Sequence, residues 1–145
     1  MKQTPTLLLT LASRALTILF VLLPVISSAK EPAPSLIGEW KGKDSTGAAA
    51  TMIFREDGAY QMLQGGVAVI GSSEGVKVTW RLDATKNPMQ LDIHVKGDKG
   101  EIVMPMIVRF VSDKKIQVGM APDMETRPSA FSPEDSQNQV TLAKD

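Results

Sequence analysis

The chain has 145 residues, 16 Lys and Arg against 16 Asp and Glu, no cysteine and a hydrophobic content of 43%. That length suits one domain, and balanced charge excludes the strongly basic surface that nucleic-acid binding requires. The balance hides two unlike pieces: residues 1–29 hold Lys2, Arg14 and no acid, so the other 116 residues carry fourteen basic and sixteen acidic side chains, a net charge of −2.

The first piece, residues 1–29, reads as a secretory signal peptide. An apolar run from Ala15 to Ile26, interrupted only by Thr17 and Pro24, follows the two basic residues. Ser27-Ser28-Ala29 then places small side chains where a signal peptidase needs them, which predicts cleavage after Ala29 and a periplasmic or secreted product. The alternative is an uncleaved anchor, but an apolar stretch of roughly 12 residues falls short of the roughly 20 that span a bilayer. No stable membrane span is therefore expected after cleavage. The absence of cysteine excludes a lipid-anchored product and any disulfide, so the exported domain must be held by its core alone. Residues 30–35, Lys-Glu-Pro-Ala-Pro-Ser, form an extended linker, because each proline disfavours helix in its predecessor.

From residue 36 to 145 the apolar pattern has period two. Trp40 lies in a first short strand. Met52 and Phe54 mark a strand over 49–55, and Tyr60 and Met62 one over 59–63. Val76, Val78, Trp80 and Leu82 alternate with Lys77, Thr79, Arg81 and Asp83; Met89, Leu91, Ile93 and Val95 alternate with Gln90, Asp92, His94 and Lys96. Ile102, Met104, Met106, Val108 and Phe110 share one face of 101–111, followed by Ile116, Val118 and Met120 over 115–120 and by Val140 and Leu142 over 139–144. This is the signature of half-buried antiparallel strands. Turn chemistry separates them at Glu56-Asp57-Gly58, Gly65-Gly66, Asn87-Pro88, residues 96–100 and Ser112-Asp113-Lys114. Pro105 has no amide to donate, so the strand over 101–111 is expected to bend or split there. Eight or nine short strands without long crossovers predict an all-β, antiparallel up-and-down meander, closed into a barrel to remove its edges. A two-sheet sandwich with Greek-key connections is the alternative.

No catalytic constellation is legible. The single histidine, His94, falls on an outward face; a Ser-His-Asp or Cys-His arrangement and a zinc site all lack members. Asp83, Asp92 and Glu101 also face outward, where carboxylate pKa values are not raised for acid catalysis. Gly65-Gly66 followed by Val67-Ala68-Val69-Ile70 has no helix behind it to hold a phosphate, and reads as a hairpin or a loop at the barrel mouth. Neither an enzyme, a cofactor nor a metal is expected.

Leu36-Ile37-Gly38-Glu39-Trp40 resembles the Gly-x-Trp signature of lipocalin-like domains in the calycin superfamily. The stretch from Thr79 to Ile93, and Met120-Ala121-Pro122 with Glu125-Thr126-Arg127-Pro128 and Phe131, are similar to a small lipocalin-like family of planctomycete-type bacteria. The chain departs from that family at Gly119, where a cysteine is common, so no thiol role carries over. The resemblance implies a small lipocalin-like barrel of about eight strands spanning 36–145, with Trp40 plugging one end under a stacked arginine. Arg127 is the candidate, with Arg109 and Arg81 as alternatives. The loop over 120–128 is expected to cap the mouth.

A barrel of that size is either filled by its own side chains or holds one small ligand. The inward Met52, Phe54, Tyr60, Met62, Trp80, Leu91, Met104, Met106 and Phe110 are the candidate lining, and methionines suit a permissive apolar pocket. Two functions follow from different classes. One is non-catalytic binding of a small hydrophobic ligand inside the barrel. The other is a protein-interaction module of the cell envelope, an inhibitor or scaffold with a solid core, whose partner is an envelope protein.

Overall fold

A computed structural model describes residues 33–145, so the signal-peptide reading and the first half of the linker lie outside the described residues. Nine strands follow one another: β1 (Gly38–Lys43), β2 (Ala49–Phe54), β3 (Tyr60–Gln64), β4 (Val67–Ile70), β5 (Lys77–Asp83), β6 (Met89–Gly97), β7 (Gly100–Ser112), β8 (Lys115–Met120) and β9 (Gln139–Ala143). A short 3-10 helix, Pro133–Asn138, precedes β9; Ser132 caps it by accepting from the Glu134 amide. Turn residues sit where alternation breaks: Gly65 and Gly66, both left-handed, make the β3–β4 hairpin, and Asp83 accepts from the Thr85 amide before β6.

All nine strands form one antiparallel sheet in the order β4-β3-β2-β1-β9-β8-β7-β6-β5. Two meanders, β1 to β4 and β5 to β9, are therefore joined where β9 pairs with β1 through Lys41–Ala143, Gly42–Leu142 and Lys43–Thr141. The outer ends of the sheet curl together. The start of β3 meets β5 at an Ala59–Thr79 bridge, and Trp80 donates its amide to the Gly58 carbonyl and its indole Nε1 to the Arg55 carbonyl, each at 3.0 Å. β3 thus shares one edge between β4, which pairs with its second half, and β5, which abuts its start. The result is a nearly closed barrel, not a two-sheet sandwich.

Alternation decides which side chains enter the core. Trp40, Met52, Phe54, Tyr60, Val78, Leu91, Ile93, Met106, Val108, Ile116 and Leu142 are at most 2% exposed. Full burial of each large apolar side chain contributes about 1.5–3 kcal/mol, the main force available without a disulfide. Phe54 packs at 5.2 Å from Tyr60 and edge-on to Trp80 at 5.4 Å, and Trp40 lies 6.3 Å from Phe110.

Two expectations need correction. β7 runs unbroken for 13 residues through Pro105, and its pairing with β6 keeps register from Gly97–Gly100 to Met89–Val108. One Arg127 guanidinium nitrogen reaches the carbonyls of both Leu91 and Met106, which makes these a hydrogen-bonded pair and turns the Pro105 nitrogen away from β6. On that side β8 ends at Met120, opposite Met106, so no partner needs the missing amide. The irregularity of β7 lies between Phe110 and Ser112 instead. Ile102, expected in the core, is 66% exposed because β8 ends opposite Met106 and leaves no strand beside Ile102 on that side of β7.

Candidate functional site

The barrel's two ends differ. At one, Trp40 is fully buried and donates its indole Nε1 to the Leu36 carbonyl at 2.7 Å. The cation over its ring is Lys144, with Nζ 4.6 Å from the ring centroid and bonded to the carbonyls of Ser35 and Ile37. The expected pairing with Arg127 is therefore not formed. Arg127 binds the outer wall of the sheet, donating to the Met106 carbonyl at 2.7 Å and to the Asp92 carboxylate. Arg109, the other wall arginine, covers Phe131 at 4.6 Å and donates to Gln117. Gly119 lies beneath that ring: a Cβ there would sit 3.0 Å from Ile107 and 3.2 Å from Phe131, so a bulkier residue would lift the 121–132 segment off the wall.

The opposite end is concave and apolar. One cleft of about 210 Å³ has Ala50, Met52, Met62, Val118, Met120 and Val140 as its floor, with Asp44, Ser45, Gln137, Asn138 and Gln139 around it. A second, more open cleft of about 490 Å³ is formed by Val69, Ile70, Val76, Val78, Val95, Ile102 and Met104, with Asp123 and Glu125 at its rim. Met124 borders both. It is 42% exposed and, with φ at 57°, the one non-glycine residue in the left-handed region among the described residues. Asp123 holds the turn by accepting from the amides of Glu125 and Thr126 and from the Thr126 hydroxyl. Residues 121–124 thus border the two clefts, and Arg127, three residues on, is bound to the outer wall.

Hydrogen bonds favour the charged form of Asp44 and Asp123 at the rim. Thr46 and Gln64 donate to the Asp44 side chain, with the Thr46 and Ala48 amides, and keep its pKa below the ordinary aspartate value. Thr126 does the same for Asp123, chiefly through its hydroxyl.

The nine candidate lining residues separate along the barrel axis. Met52 and Met62 line the first cleft and Met104 the second. Tyr60, Leu91, Met106, Trp80 and Phe110 border neither cleft, and Phe54 borders only a shallow open depression beside the Arg55–Asp57 turn. Phe54, Tyr60, Leu91 and Met106 are buried in the core, and Trp80 and Phe110 are half-buried against it. The Tyr60 hydroxyl is buried without a hydrogen-bond partner among the described residues, and burial pushes its pKa up. Sequence reasoning missed Asp44, Asp123 and Met124; the Asp-x-Thr spacing of 44–46 and the Asp-x-x-Thr spacing of 123–126 were the available signals for carboxylate-centred turns.

His94 Nδ1 lies 2.5 Å from Glu101 Oε1 on the outer face, and its donation to the carboxylate lowers the Glu101 pKa. Among the described residues no three His, Cys, Asp or Glu side chains are grouped to hold a metal ion, and no helix is long and apolar enough to cross a membrane. No protein-family model, curated protein or solved structure matches the chain. The lipocalin-like resemblance therefore rests on the residues that suggested it.

Proposed function

We propose that the protein is an exported, lipocalin-like, non-catalytic binding domain that takes a small hydrophobic molecule at the barrel mouth, beneath residues 121–124. The observation that carries this reading is the apolar cleft of about 210 Å³ at one end of an otherwise filled barrel, where Met62, Met120 and Val140 are half-buried over a floor of buried Ala50, Met52 and Val118. A concave apolar site with a few polar groups at its rim is the common form of a small-molecule site. The site lies at the mouth, because Phe54, Tyr60, Leu91 and Met106 occupy the interior.

Titration of the purified protein with a neutral apolar dye, N-phenyl-1-naphthylamine, tests the reading. Saturable fluorescence enhancement is expected, and Met62→Trp and Met124→Trp, which fill the first cleft from floor and roof, should each weaken it at least tenfold. An unsaturable response, or one unmoved by both substitutions, refutes it.

A further inference from the structure

The charges around the two clefts constrain what the mouth selects, on the reading that the mouth is a binding site. Every ionisable side chain bordering the first cleft or the second is acidic: Asp44 in one, Asp123 and Glu125 in the other. The basic residues of the neighbouring strand ends point elsewhere. Lys43 alternates with inward Gly42, Lys77 with inward Val78 and Lys96 with inward Val95, which places all three on the outer face. Asp44 accepts from Thr46 and Gln64 and Asp123 from Thr126, and among the described residues no Lys, Arg or His forms an ion pair with either.

We propose that the ligand is a cationic amphiphile: an alkyl chain that lies on the methionine-rich floor and an ammonium head that rests among Asp44, Asp123 and Glu125. A cationic head gains Coulomb attraction from this rim, and a carboxylate head meets repulsion from it. Because Asp44 and Asp123 already accept from Thr46, Gln64 and Thr126, selection works through the field of the carboxylates rather than through a dedicated ion pair. The rim is exposed, so salt weakens the preference. Met124 is the residue that the two clefts share.

Calorimetric titration of the full chain with dodecyltrimethylammonium, dodecanol and dodecanoate, all below their micelle concentrations, isolates the head group at constant chain length. Dodecyltrimethylammonium is expected to bind at least tenfold more tightly than dodecanoate, which is about 1.4 kcal/mol, with dodecanol between them. High salt should compress that ratio. Asp44→Asn with Asp123→Asn keeps both turns, since an amide oxygen still accepts, and should bring the three affinities to within about threefold while leaving dodecanol unchanged. Equal or tighter binding of dodecanoate, or a preference for the ammonium that survives the double substitution, overturns the proposal while the apolar-site reading stands. If none of the three binds, both fail.

Discussion

Gly42→Ala tests how the two meanders are joined. Gly42 faces inward in β1 opposite Leu142, and a Cβ at that position would lie 2.3 Å from the Thr141 carbonyl oxygen and 2.9 Å from Leu142 Cδ2. The first atom belongs to the backbone of β9, so no rotamer change relieves the clash. β1 and β9 would have to separate by about 1 Å, and only three residue pairs hold them. Overpacking of this kind costs about 1–3 kcal/mol, and weakening one hydrogen bond adds about 1 kcal/mol. The sum, about 2–4 kcal/mol, corresponds to a fall in melting temperature of about 8–16 °C for a domain of this size. Circular dichroism at the strand minimum, followed on heating, measures it. Gly58→Ala is the control: its φ is 86° but nothing lies within 4 Å of its Cβ, so the cost is confined to about 1–2 kcal/mol of backbone strain. A Gly42→Ala midpoint within 2 °C of the parent, or no lower than that of Gly58→Ala, would refute the close β1–β9 approach.

Tyr60→Phe deletes a hydroxyl that is buried and unpartnered among the described residues, so the variant is expected to gain about 1 kcal/mol in urea unfolding; a loss above 1 kcal/mol would mean that the hydroxyl is hydrogen-bonded in solution. Lys144→Met removes the cation from the Trp40 ring and its bonds to Ser35 and Ile37, and should lower stability by about 1 kcal/mol and shift the tryptophan emission, whereas Arg127→Met should leave the emission of Trp40 unchanged. Asp44, Asp83, Glu101 and Asp123 all titrate below their ordinary values, held by Thr46, Thr85, His94 and Thr126 respectively. Their contribution to stability is therefore complete above the ordinary carboxylate range and is lost as pH falls through the lowered values, so the melting temperature should decline on acidification below about pH 4. In His94→Leu the Glu101 carboxyl, followed by NMR, should titrate at higher pH than in the parent; an unchanged midpoint would remove His94 as the cause.

How far the sequence could be read depended on what alternation encodes. A period of two assigns each side chain to a face, and the strands at 77–83, 89–97 and 115–120 were found within a residue of their ends because turn residues bound them. The same period is blind to height along the barrel axis. Ile102, Met104 and Met106 share one face of β7, yet they are 66%, 6% and 0% exposed, which runs from the open rim of the second cleft through its wall to the core. The candidate lining was consequently a list of inward residues, of which only Met52, Met62 and Met104 reach the clefts. Alternation is equally blind to which strands become neighbours. Lys144 covers Trp40 because β9 inserts between β1 and β8, a pairing across about a hundred residues that no local signal specifies. Pro105 was misjudged for the same reason, since its tolerance depends on where β8 ends.

The insertion of β9 between β1 and β8 also bears on how the chain assembles. Each meander is made of hairpins between successive strands, whereas the β1–β9 ladder joins segments from opposite ends of the described domain. Closing so long a loop carries the largest entropic cost of any pairing in the sheet. A circular permutant that joined residue 144 to residue 36 and opened the chain within 71–76, where β4 and β5 touch only lightly, would turn that ladder into a local hairpin and keep both meanders whole.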